Sequence, residues 1–214
     1  MMKRSFNMKK IFVLILTFFC FTHIAMAQEK SATTFVNTLI NNIIENVLTV
    51  NISKEEKTKR FEEYISDAVD TQAIAKAVLA QYWRTISPKE KDDFVDAFKE
   101  MAIKMTAERF DMYNGQEVKF FSERPAQGKN QVFVDNTVNH DSKDIQVVWR
   151  VREKDGKYQI LDIIIEGVSM TLNYRNEYTA FLQNHTIQDL IAELKKQAEN
   201  AADTVAKKKE EKKN

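Results

Sequence analysis

The sequence predicts an α+β fold: N-terminal helices, a four-stranded antiparallel curved sheet, then C-terminal helices. Three observations predict it. Apolar residues recur at helical spacing from Ser31 to about Asn114. Between Glu117 and Ile165 the pattern shifts to alternation, with β-branched and aromatic residues enriched. After Gly167 the helical spacing returns. With four glycines and two prolines in 214 residues, long unbroken elements are expected.

The first helix is expected over Ser31 to Val50, where Phe35, Val36, Leu39, Ile40, Ile43, Ile44, Val47 and Leu48 keep helical spacing. Ser53 and Glu56 have capping-box spacing, in which the serine oxygen accepts an orphan backbone N–H while the glutamate reaches back. A second helix starts there. Asp70 caps a third, expected to run to about Thr85. Ser87-Pro88-Lys89-Glu90 gives the clearest start in the chain: cap serine, proline at the first helical position, glutamate at the third. The helix it opens carries Phe94, Phe98, Met101, Met105 and Met112 on one stripe and is expected to end near Asn114-Gly115.

Four strands follow, at Glu117–Arg124, Gln131–Val138, Ile145–Arg152 and Lys157–Ile165. In the third, Ile145, Val147, Trp149 and Val151 alternate with Gln146, Val148, Arg150 and Arg152, so one face is apolar. Asp155-Gly156 signals a tight hairpin into the fourth strand, which is apolar on both faces apart from Asp162. Val168, Leu172, Tyr178, Phe181 and Leu182 then mark a helix, and Ile187, Leu190, Ile191 and Leu194 mark a last one from Thr186 to about Ala206. Residues 207–214 form a mixed-charge, solvated tail.

Residues 1–27 have the three parts of a cleavable secretory signal. Lys3, Arg4, Lys9 and Lys10 come first, then the apolar run Ile11 to Phe21, then Ala25-Met26-Ala27. The run falls short of the roughly 20 apolar residues a spanning helix needs. Three segments result: a signal at 1–27, one domain at 28–206 and the tail at 207–214. Removing 27 of the 214 residues, with four cations and no acid, leaves 187 residues carrying 28 Lys+Arg against 31 Asp+Glu, net −3. That balance gives no electrostatic basis for nucleic acid binding. The single cysteine, Cys20, leaves with the signal, so disulfides and thiolate metal sites are excluded.

Few residues suggest catalysis. His140 and His185 sit beside turns without metal-ligand spacing, and no metal or cofactor is expected. Gly167-Val-Ser169 follows a strand and precedes a helix as a nucleophile elbow does. It lacks the second glycine and a parallel sheet, so Ser169 reads as a helix cap. Asp162, set among isoleucines, is either a general base raised by desolvation or a carboxylate hydrogen-bonded to a neighbouring loop or arginine; the second is favoured. The methionines read first as ordinary core, although methionine also suits adaptable apolar surfaces.

Two blocks resemble a known family. Gln81-Tyr82-Trp83-Arg84-Thr85-Ile86-Ser87-Pro88, with Phe94 and Phe98 after it, is similar to the Y-W-R-x-x-S-P…F…F segment of the MlaC (toluene-tolerance) family of periplasmic phospholipid-binding proteins. Asp155-Gly156-Lys157-Tyr158 through Asp162 to Glu166-Gly167-Val168-Ser169, then Asn173-Tyr174-Arg175, resembles its D-G-x-W-x-V-x-D-V-x-x-E-G-V-S…N-Y-R signature. Tyr158 and Tyr178 stand where tryptophan and phenylalanine are usual, and Asn184-His185-Thr186 replaces a glycine-containing turn.

The resemblance implies a non-enzymatic carrier on an NTF2/cystatin-like fold, its helices and sheet enclosing an apolar cavity. Such a monomer would work in the periplasm. It would take phospholipid from an outer-membrane lipoprotein complex and deliver it to the substrate-binding subunit of an inner-membrane ABC transporter, maintaining outer-membrane lipid asymmetry. A hopanoid or other polycyclic cargo, or an NTF2-like enzyme using Asp162 as base, are the alternatives. For a carrier, the expected lipid-lining residues are Phe98, Met101, Met105, Val132, Val134, Val147, Trp149, Ile163 and Ile165. Arg84 and Arg175 are the candidates for the headgroup phosphate.

Overall fold

The computed structural model describes residues 31–140 and 143–211. The signal at 1–27 and the last three residues of the tail lie outside the described residues. Among the described residues, six helices, α1 (Ala32–Ile43), α2 (Lys54–Ala68), α3 (Thr71–Leu79), α4 (Pro88–Ala107), α5 (Met170–Phe181) and α6 (Ile187–Glu211), accompany one antiparallel sheet. Its strands are β1 (Val118–Pro125), β2 (Gln131–His140), β3 (Lys143–Lys154), β4 (Lys157–Ile165) and β5 (Val168–Ser169), in sequential order. The α+β class stands, but the strand count is corrected. The two-residue β5 is a fifth strand, and Val69 adds a single parallel bridge to Ile160, so six segments take part. Pairings this short depend on tertiary contacts and leave no periodic trace in sequence.

Local chemistry sets the helix starts. Ser31, Ser53, Asp70, Ser87 and Ser169 each accept a backbone N–H at an N-terminus. The box at Ser87 is complete, with Glu90 accepting from the Ser87 backbone at 2.7 Å. The one at Ser53 is half made, because Glu56 instead accepts from Arg60 at 3.0 Å. Helix ends depart more from expectation. α1 passes into a π-turn over Ile44–Leu48, whose Val47 is buried. α3 gives way at Ala80 (φ 49°) to a 3-10 turn over Ala80–Arg84. α4 stops at Ala107, and a 3-10 turn places Phe110 in a small core with Val47. Met112, expected on the α4 stripe, is 61% exposed.

Hydrogen bonds from Ser87 hold the Glu90 carboxyl below its ordinary 4.5, and those from Thr186 hold Asp189 below 3.8. A lowered carboxylate contributes stability above the unfolded value and loses it as pH falls through the folded one. The stability gap between the wild type and Glu90→Gln is therefore present at neutral pH and closes below the carboxylate range. Urea melts across an acid series measure it, and a constant gap contradicts the assignment.

Two main cores result. In the first, α3, α4, α5 and α6 bury Leu79, Phe94, Phe98, Met101, Tyr178 and Leu194. In the second, α1 lies on the sheet, where Val36 and Leu39 meet Val134, Val151 and Ile160. Burial raises the Tyr178 phenol above its ordinary 10, and its hydroxyl has no hydrogen-bond partner among the described residues. A buried unsatisfied hydroxyl costs about 1–3 kcal/mol. Tyr178→Phe is expected to stabilise the protein by about 1 kcal/mol, raising Tm by about 2–4 °C in a thermal melt. A lower Tm would mean that the hydroxyl is satisfied.

Two irregularities shape the sheet, since a bulge bends a strand and increases its twist. One lies between Phe120 and Ser122 on β1. On β4, the register passes from Arg150↔Asp162 to Val151↔Ile160, leaving Leu161 as the extra residue. Ile160 and Ile163, three apart, consequently sit opposite Val151 and Trp149 and share their face. Among the described residues, no helix is long and apolar enough to cross a membrane.

Candidate functional site

The two main cores do not close completely on one another. Between them lies a cavity of about 350 Å³. Its sheet wall is Trp149, Ile160 and Ile163, brought together by the β4 bulge. α1 adds Leu39, Ile40 and Ile43, and α2 adds Phe61, Ile65 and Ser66. Val69, between α2 and α3, joins Thr71 and Ile74 from the first turns of α3, and α5 supplies Met170, Thr171 and Tyr174. From α4 come Phe98, Lys99, Ala102 and Thr106, one face of the helix at three- and four-residue steps. Among the described residues, Lys99 and Asp162 are the only charged ones on this wall. Among the described residues, Ser66 and Thr106 are the exposed members of the wall, so it reaches solvent on the α2 and α4 side.

Hydrogen bonds fix the walls. The Trp149 indole donates to Asn136 Oδ1 at 2.6 Å, which holds the ring against the cavity. Asp162 is 8% exposed. Its Oδ2 accepts from Ser169 Oγ at 2.5 Å and its Oδ1 from the Thr171 backbone at 2.9 Å. Both oxygens serve the start of α5, where Ser169 also caps at 3.0 Å. Glu166 and Gly167, at φ 48° and 79°, make the turn into β5, and Glu166 accepts from the Gln146 backbone at 2.5 Å. Glu166 to Ser169 is thus a bracket joining strand to helix. Asp70 caps α3 and pairs with Arg152, so α3 is pinned to β3 beside the cavity.

The structure distributes the expected lining residues unevenly. Phe98, Trp149 and Ile163 stand on the cavity wall. The register puts Val132, Val134, Val147 and Ile165 on the same sheet face as Trp149. Val134 is covered in the second core, with Val132 packed against its edge, while Ile165 is 39% exposed at the sheet end. Val147 is buried without reaching the wall. Met101 and Met105 face the helical core instead, because the apolar stripe of α4 packs on α5 and α6 and leaves a flanking face to the cavity.

Neither arginine expected at the phosphate end lies on the wall. Arg84 is exposed at the end of the 3-10 turn. Arg175 Nε donates to the Ala77 carbonyl at 2.7 Å, tying α5 to α3. Sequence reasoning missed the α1 and α2 walls, Ala102, Tyr174 and Asn136. Asn136 left a signal: it is the polar member of Val132, Val134, Asn136, Val138, an otherwise apolar strand face.

An open antiparallel sheet covered by helices, with an apolar hollow between the two cores, defines a cavity-bearing α+β protein. The chain belongs to the MlaC family, whose model, described as MlaC protein, matches residues 33–196. It is 23% identical over 136 residues to the intermembrane phospholipid transport system binding protein MlaC of Haemophilus influenzae. That match covers 61% of this chain and 63% of the relative, so the chain spans somewhat under two thirds of the relative's length. Its fold is similar to that of a phospholipid-binding protein from Ralstonia solanacearum solved in complex with a phospholipid. The TM-score is 0.72 at 19% identity, covering 80% of this chain and 99% of that one.

Proposed function

We propose that this protein is a periplasmic carrier that encloses the acyl chains of a phospholipid between α1–α5 and the sheet and catalyses no reaction. The cavity carries the reading. Exposing about 30 methylenes of a diacyl lipid at about 0.8 kcal/mol each totals on the order of 20 kcal/mol, so a diffusing carrier must hide nearly all of both chains. The cavity of about 350 Å³ falls within the size range of ligand pockets. By the measure on which a 150 Å³ hollow holds one benzene ring, it takes about fourteen carbon atoms. Full loading therefore widens it. α2 is the wall suited to yield, since Ala68 is its only buried residue.

In this reading the segment 1–27 directs export and is removed, 28–206 is the carrier domain, and lipid passes between outer- and inner-membrane complexes. The name of the Haemophilus relative and the lipid in the Ralstonia structure support it. Native mass spectrometry of protein purified from the periplasm tests it: bound phospholipid is expected. Lipid-free protein that also fails to take lipid from vesicles would overturn it.

A further inference from the structure

We propose that the Lys99 ammonium is the phosphate-binding group of the cavity, held by Glu62 in the empty protein and passed to the lipid phosphodiester on loading. This rests on the carrier reading above. Lys99 is the one cation on the cavity wall among the described residues. Its Nζ lies 2.9 Å from Glu62 Oε1, and the two side chains are 32% and 47% exposed.

The pair bridges α4 and α2. These helices run in opposite directions, Glu62 meeting Lys99 while Lys54 meets Asp111. It thus crosses the side on which the wall reaches solvent at Ser66 and Thr106, where a headgroup must remain when the tails are inside. The lysine stem can lie along the apolar wall while its ammonium stays wet.

The chemistry favours exchange. An ion pair this exposed contributes little to stability, so replacing Glu62 by another anion costs little. Lysine binds phosphate as a point charge without a fixed fork geometry, which suits headgroups of varied shape. At the solvent-facing side neither wall hydroxyl competes for the anion. Ser66 Oγ donates to the Glu62 carbonyl at 2.7 Å and Thr106 Oγ1 to the Ala102 carbonyl at 2.8 Å, so both hydroxyl protons are engaged. The remaining wall charge, Asp162, repels a phosphate from the β4 and α5 wall.

The test uses delipidated protein and two kinds of vesicle, one carrying phosphatidylglycerol and one carrying diacylglycerol with the same acyl chains. Lys99→Gln is expected to lower phosphatidylglycerol uptake about tenfold while leaving diacylglycerol uptake within about twofold, and Lys99→Arg to restore most of the difference. Glu62→Gln should raise phosphatidylglycerol uptake, because the competing anion is gone. Glycerol 3-phosphate separates the sources. If it displaces phospholipid at matched concentration, Lys99 serves a soluble phosphate and the headgroup assignment is overturned. Lys99→Gln affecting both lipids equally, or neither, overturns the inference while the carrier reading survives. Wild-type protein that takes up neither lipid removes that reading and this inference with it.

Discussion

Ala102→Phe is expected to abolish most lipid loading while leaving the protein folded. Ala102 sits on α4 facing the cavity, between the contributions of Lys99 and Thr106. The added phenyl ring enters space already vacant, so it neither overpacks a core nor strains α4. It displaces room for about half of the fourteen or so carbons the cavity takes. At about 0.8 kcal/mol per methylene the loss is about 5 kcal/mol if the walls hold, or more than a thousandfold in Kd. Where α2 yields outward the effect shrinks, but at least about tenfold remains. Lipid co-purifying with the variant, measured against the wild type by native mass spectrometry, reads it directly. Unchanged occupancy with an unchanged Tm would place the lipid elsewhere.

The second large effect falls on stability. Asp162→Ala removes the acceptor for Ser169 Oγ and for the Thr171 N–H, leaving two donors at the start of α5 without their carboxylate. Breaking two hydrogen bonds to a buried charged group is expected to cost about 3 kcal/mol, seen as a fall in Tm of about 6–12 °C. Asp162→Asn keeps one acceptor and should lose less. Below its melting temperature, either variant should still load lipid, because the carboxylate organises the bracket and not the cargo. Wild-type stability with lost function would instead restore Asp162 as a reactive group.

The signature Glu166-Gly167-Val168-Ser169 gains a physical account here. Glutamate closes the β3–β4 end, glycine takes the positive φ, valine and serine pair with β4, and serine caps α5. Those residues build the frame around the cavity without lining it. Tyr174 and Arg175 divide the same way, one on the wall and one bonded to the α3 backbone. A motif conspicuous in sequence thus marked architecture, while the wall was drawn from inconspicuous positions.

Sequence alone determined the order of the helices and the four long strands, the helix starts at Ser53, Asp70, Ser87 and Ser169, the Asp155-Gly156 hairpin and which face of β3 is apolar. Each depends on residues within a few positions of one another, where capping, turn preference and side-chain alternation act directly. Only the tertiary structure decided which apolar surface meets a void. Phe94, Met101 and Met105 pack against other helices and Phe98 borders both them and the cavity, whereas the polar-looking Lys99-Ala102-Thr106 face lines the cavity with a lysine stem and methyl groups. The Leu161 bulge likewise set the parity that brings Ile160 and Ile163 together. An apolar side chain is released from water equally by a packed neighbour or a bound chain of lipid. Periodicity therefore records that a face is hidden, and only the packing of distant segments fixes what hides it.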